Sequence, residues 1–175
     1  MTGSDLWEVA VVGGGVAGAA ACVALSDAGL HPLWLAPDVE PGDRVGESLA
    51  PAARPILAGL GLDALLETGG HRPANATFSA WGSDRLVERN AVVHLEGPGR
   101  ILDRTGFEEN LRGAADGRAE RHRTGLTSAS PADGRWRLEL ADGGSATVRF
   151  LVDASGRASV VGRTLAAAGV DQEAN

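Results

Sequence analysis

Three glycines, Gly13, Gly15 and Gly18, follow the apolar run Glu8-Val9-Ala10-Val11-Val12 in the spacing G-x-G-x-x-G. A glycine at the first position permits a tight turn out of a strand. At the second it lets backbone close on a diphosphate, and at the third it brings helix and strand together. The diphosphate would sit at the start of the following helix, where free N–H groups and the helix dipole favour an anion. The chemistry this predicts is dinucleotide binding. An acidic residue ~20 residues on usually takes the ribose hydroxyls. Here the second strand closes on Ala36, and Asp38 and Glu40 lie just beyond it.

Other reactive types are sparse. The sequence contains no lysine, so every basic side chain besides histidine is an arginine and Schiff-base chemistry is excluded. Cys22 is the single cysteine, which excludes an internal disulfide or a thiolate metal site, and it reads as a small buried hydrophobe. His31, His71, His94 and His122 have no metal-ligand spacing and read as solvated or capping residues. Glu47-Ser48 reads as loop and helix cap, and Asp103-Arg104 as a surface ion pair. Arg112, Arg118, Arg121 and Arg123 read as a solvated basic edge.

The elements that must position these residues follow from pattern. Residues 8–12 form a buried parallel strand, 19–28 an Ala-rich helix that breaks at Gly29, and 32–35 a second strand. A loop rich in Pro, Gly and Asp over 38–46 leads to helices at 51–59 and 62–68. Between 74 and 97 the period changes to two, which predicts an inserted segment of short antiparallel strands at 76–81, 86–88 and 92–95. A helix over 105–115 carries Phe107 and Leu111 on one face, with Thr105 and Glu108 at capping-box spacing. Residues 126–130, 135–140 and 147–150 form a three-stranded meander whose turns are Ala132-Asp133-Gly134 and Asp142-Gly143-Gly144. The last strand runs into Asp153-Ala154-Ser155-Gly156-Arg157, and a helix starts near Ser159.

At 175 residues the chain is one domain's worth, 43% hydrophobic and 22% charged, which is the composition of a globular protein. The net charge of −7 gives no electrostatic case for nucleic acid or an anionic membrane surface. With no signal-peptide pattern and no apolar run of membrane-spanning length, a cytoplasmic protein is expected.

The three glycines, Gly46-Glu47-Ser48-Leu49, Trp81-Gly82-Ser83, Leu102-Asp103-Arg104 before a helix with Phe107, and Val152-Asp153-Ala154-Ser155-Gly156-Arg157 occur in one sequence order. That order resembles the N-terminal half of FAD-dependent monooxygenases of the aromatic-hydroxylase type. It is closest to the branch shared with flavin-dependent halogenases and with tryptophan-modifying monooxygenases of quinone cofactor biogenesis. The resemblance implies an α/β, Rossmann-like FAD-binding fold of the glutathione-reductase type, with the meander and the inserted β segment at about 74–97. Residues 1–175 would be the FAD-binding domain without the C-terminal substrate half, which a further segment or partner chain would supply. Gly13, Gly15 and Gly18, with Val16 and Ala17, would meet the FAD diphosphate, and Arg104 the phosphates or ribose. Arg44, Glu47 and Ser48 would lie beside the flavin. Asp153 would face the side from which NAD(P)H approaches in relatives that use it, and the backbone at Arg123 and Thr124 would border the adenine. The implied reaction is oxygenation of a small-molecule or peptidyl aromatic or indole-like substrate through a flavin hydroperoxide. A halogenase, a reductase, or a non-catalytic or split dinucleotide-binding module are the alternatives. A halogenase would also want a lysine, and the sequence has none.

Overall fold

The computed structural model describes residues 5–38, 47–90 and 95–167. The chain divides into two compact units, 1–40 with 111–175, and 41–110.

The first unit is built on six strands. They are β1 (Asp5–Val12), β2 (Leu33–Leu35), β8 (Glu120–His122), β9 (Leu126–Ala132), β10 (Arg135–Leu140) and β11 (Ser145–Asp153), ordered β8-β2-β1-β11-β10-β9. β8, β2, β1 and β11 run parallel, whereas β10 and β9 return antiparallel as the predicted meander. Asp133 (φ 51°) and Gly134 (φ 72°) give the β9–β10 turn the paired positive dihedrals that a two-residue hairpin favours. Strand alternation sorts the core into two faces. Ala10, Val12, Leu33, Leu35, Leu138, Leu140, Ala146 and Val148 form one cluster with Val161 of helix α4 (Val160–Ala167). Val9, Val11 and Trp34 point the other way and are also buried. Each large apolar side chain so enclosed contributes roughly 1.5–3 kcal/mol. Helix α1 (Val16–Asp27) buries Gly18, Ala19, Cys22 and Val23. The thiol of Cys22 is pushed up to about 12 by burial and by the nearby Asp116, so it is the inert buried side chain expected.

The second unit holds two small sheets. Strands β3 (Ser48–Leu49) and β4 (Arg72–Ala74) flank β7 (Gly99–Ile101), while β5 (Ala76–Ser79) pairs with β6 (Val87–Asn90). The β5–β6 hairpin is the expected inserted segment; the strand expected at 92–95 falls almost entirely outside the described residues. Helix α2 (Ala53–Gly59) forms as expected, but the helix expected over 62–68 contracts to one 3-10 turn, Asp63–Leu66. Gly61 before it and Gly69 and Gly70 after it all have positive φ and stop propagation. Helix α3 spans Arg104–Asp116. Among the described residues no helix is long and apolar enough to cross a membrane.

Candidate functional site

In the first unit the glycine turn stands at the carboxyl end of β1, between β2 and β11, where the sheet order switches direction. Gly13 N–H donates to Leu35 O at 2.9 Å, and Ala154 N–H donates to Val12 O at 2.9 Å, so three strand ends are tied together. Gly13 has φ +126°, and a Cβ there would stand 2.4 Å from the Ala154 carbonyl oxygen. A Cβ on Gly18 would lie 1.9 Å from Gly13 O. Both residues are glycine because backbone passes backbone there.

Gly15 is different. A Cβ on it would meet nothing within 4 Å, and its dihedrals (φ −84°, ψ −174°) are open to any residue. Packing does not demand a glycine, so the open space over Gly15 fits a bound group approaching the backbone. The first helical bond is Ala19 N–H to Gly15 O at 3.0 Å, which leaves the amides of Val16, Ala17 and Gly18 without acceptors in the helix. Gly15, Val16 and Ala17 are exposed, and no acidic side chain occupies the first turn. An anion of diphosphate type fits this cradle.

Asp153 closes β11, but its carboxylate is turned to the chain's own backbone. Oδ1 accepts the Ser155 N–H (3.0 Å) and hydroxyl, and Oδ2 accepts the Val161 and Gly162 amides at 3.1 and 3.3 Å. Desolvation would raise its pKa, but the Ser155, Gly162 and Val161 hydrogen bonds outweigh it and hold the carboxyl below its ordinary range. Asp153 therefore caps α4 and fixes the Ala154–Ser155 turn that abuts Gly13.

Of the arginines expected as a solvated edge, Arg118, Arg121 and Arg123 form ion pairs; Arg118 stays partly exposed and Arg123 exposed, and Arg121 is largely withdrawn from solvent. Asp38 Oδ1 accepts Arg123 Nη1 at 2.7 Å and Arg121 Nη2 at 3.3 Å; Arg121 also reaches Asp116 at 3.1 Å, and Arg118 reaches Asp27 at 3.0 Å. Arg121 lies over the Trp34 ring, 5.0 Å from its centroid. Thr124 is buried, with its hydroxyl accepting Asp142 N–H at 3.2 Å. Glu40 lies outside the described residues.

In the second unit Arg104 opens α3. Its Nε donates to Glu108 Oε1 at 2.8 Å, and Nη1 stands 3.1 Å from Glu47 Oε2. The Glu108 hydrogen bond, helped by the charges of Glu47 and Glu108, raises the Arg104 pKa and keeps the guanidinium charged. Asp103, read as a possible ion-pair partner of Arg104, instead caps the helix by accepting Gly106 N–H at 3.2 Å. The capping box expected at Thr105 and Glu108 is replaced by this Asp103 cap, because the helix starts one residue earlier and Glu108 turns to Arg104. His71 accepts Asp103 N–H at Nδ1 (3.1 Å), and its Nε2 reaches Leu65 O at 3.1 Å. This bears out the capping reading for that histidine. Ser48 is exposed on β3 opposite Ile101, and Arg44 lies outside the described residues. Among the described residues no cluster could hold a metal ion.

Two constellations thus form, each within its own unit. Gly13, Gly15, Val16, Ala17 and Gly18 stand with Asp153 in one; Glu47 and Arg104 stand together in the other. Glu108 as an anchor for Arg104 was missed. Its i,i+4 spacing from Arg104 was the available signal.

No family model matches the chain. Over 163 residues, 88% of this chain and 31% of the relative, it is 26% identical to the tryptophan 2-halogenase of Chondromyces crocatus. The myxobacterial chondrochloren halogenase CndH, described as a new variant of FAD-dependent halogenases, superposes with a TM-score of 0.78 at 23% identity. That match covers 91% of this chain and 39% of CndH. PqsL of Pseudomonas aeruginosa, described as a probable FAD-dependent monooxygenase, superposes at 0.78 with 22% identity, over 97% of this chain and 47% of PqsL. The fold is the Rossmann-like fold shared with these FAD-dependent halogenase and monooxygenase structures, and the resemblance read from motif order agrees with these matches. The chain spans about a third of the length of the curated relative.

Proposed function

We propose that this chain is the FAD-binding part of a flavin-dependent oxidoreductase. Its reaction would be oxygenation of an aromatic or indole-like ring, in a small molecule or a peptide, with NAD(P)H as reductant and the cytoplasm as setting. The observation that carries the reading is the open space over Gly15 above the amides of Val16, Ala17 and Gly18. FAD, when bound, supplies the electron transfer and oxygen chemistry. The chain's own residues bind and orient it. Backbone amides take the diphosphate charge, and Arg104, held by Glu47 and Glu108, offers a fixed guanidinium to phosphate or ribose. Glu47 and Ser48, with Arg44, would border the flavin, and Asp153 acts by holding the Ala154–Ser155 turn.

The similarity to a tryptophan 2-halogenase favours a second reading, halogenation of the same class of ring. A non-catalytic or split binding module is the third. Titrating the purified chain with FAD and following flavin fluorescence tests the shared claim. Reductant oxidation stimulated by aromatic compounds, with mass analysis of the product, separates oxygen from halogen incorporation. Failure to bind FAD, alone or with a C-terminal partner, contradicts every flavin reading.

A further inference from the structure

We propose that the cleft between β3 and the β5–β6 hairpin binds a carboxylate through Arg89, and that the substrate is a small aromatic acid rather than a ring carried on a peptide. The proposal rests on the FAD reading above and narrows its substrate. The cleft lies wholly within the second unit and measures about 320 Å³. That is the lower end of the roughly 300–1,000 Å³ that small-molecule sites occupy. At roughly 30 Å³ per water it has room for an acid of one or two rings, not for a peptide chain. Leu49, Pro51 and Ala76 supply apolar wall, and Ser48 and Thr77 supply hydroxyls. Among the described residues that line it, Arg89 carries the one charge and none is acidic.

Strand geometry gives Arg89 its place in this space. Thr77 and Arg89 are paired across β5 and β6, so both side chains leave the same face of the hairpin. Glu88, the adjacent carboxylate, is paired with Phe78, and by strand alternation it leaves the opposite face. It therefore does not neutralise Arg89 within the cleft. Other arginines of the unit are engaged by carboxylates. Arg54 and Arg100 share Glu67 at 3.2 and 3.1 Å, and Arg104 holds Glu47 and Glu108. Arg89 instead meets a cavity whose walls are apolar or hydroxylated. A guanidinium is a planar fork that fits a carboxylate through two parallel hydrogen bonds. A single fork with no second cation suits a monoanion better than a phosphate. The cleft also runs along Ser48-Leu49-Ala50-Pro51, and Ser48 borders the flavin in the reading above. An acid anchored by Arg89 would thus lie against the same loop as the cofactor.

The test titrates the full chain with matched probes at fixed ionic strength, benzoate beside benzamide and indole-3-acetate beside indole-3-acetamide. Members of a pair share shape and differ in charge. In at least one pair, wild type should bind the acid about 10-fold or more tighter than the amide, as expected for hydrogen bonds to a charged group. Arg89→Gln should lose that preference and keep the amide affinity, with thermal unfolding as a second control for folding. Arg89→Lys should restore part of the preference. Arg85→Gln changes an arginine that does not line the cleft and should leave the preference intact. Equal affinity for acid and amide, no measurable binding of either acid, or an unchanged preference in Arg89→Gln overturns the proposal. FAD binding by the same protein then leaves the flavin reading standing. A preference lost equally in Arg85→Gln and Arg89→Gln is a general charge effect and also overturns it. If the preference tracks Arg89 but the chain takes up no FAD, alone or with a C-terminal partner, the flavin reading fails and the assignment of the acid as substrate falls with it.

Discussion

The indole N–H of Trp34 donates to the carbonyl oxygen of Gly13 at 2.9 Å, in the space that a side chain on Gly18 would close. One hydrogen bond thereby fixes the glycine turn from beneath, and the tryptophan that makes it is fully buried. Trp34→Phe keeps most of the ring but strands the Gly13 carbonyl. We expect a loss of about 1–3 kcal/mol, read as a lower urea midpoint with an unchanged slope. A midpoint equal to wild type would show that the bond does not hold the turn.

Gly18 and Gly15 should respond oppositely to a methyl group. Gly18→Ala forces a Cβ onto the Gly13 oxygen and should cost about 3 kcal/mol, the upper end for overpacking. Gly15→Ala meets open space in an ordinary backbone conformation and should leave stability within about 0.5 kcal/mol. Paired urea titrations check the contrast; equal losses would contradict it.

Asp153 should contribute to stability in a pH-dependent way. Its folded carboxyl titrates below its unfolded value. The stabilisation is thus complete above about pH 4, the unfolded value, and is lost as pH falls through the folded one. Asp153→Asn should flatten the acid limb of the stability profile, and Asp153→Ala should cost about 1–2 kcal/mol at neutral pH through loss of the α4 cap. Parallel acid limbs for wild type and Asp153→Asn would refute the assignment.

Cys22 should be silent in the folded protein. With its thiol pushed up to about 12 and its side chain buried, a disulfide-exchange reagent at pH 8 should label it only after urea is added. Rapid labelling of native protein would contradict that packing.

Arg104→Ala removes the guanidinium facing Glu47 and the nearly buried Glu108. We expect weaker FAD binding together with a stability loss of about 1–3 kcal/mol. Fluorescence titration and unfolding measure the two effects separately, and an unchanged dissociation constant would remove Arg104 from the site.

Much of the first unit was legible because its signals are local. Gly13-x-Gly15-x-x-Gly18 behind an apolar run, and the Asp133-Gly134 turn inside a period-two stretch, each name their own geometry. The partners of charged groups were not legible. Asp38 meets Arg123 across 85 positions of sequence, a pairing that follows from β2 lying beside β8, and strand order is not written in either strand. Asp153 illustrates a different limit. Its place at the end of β11 was readable, but the direction of its carboxylate depends on where α4 begins. The 62–68 stretch had enough leucine for a helix, yet the flanking glycines decided its length.

The most direct measurement of the central claim is FAD binding by Gly15→Val beside wild type. Flavin fluorescence would give affinity, and urea unfolding would control for folding. If the bare backbone at Gly15 exists for a diphosphate, wild type binds one equivalent of FAD, and the variant folds with near wild-type stability but binds FAD about 100-fold more weakly or not at all. Wild type that does not take up FAD, or a Gly15→Val protein that retains a full equivalent at unchanged affinity, would contradict the account.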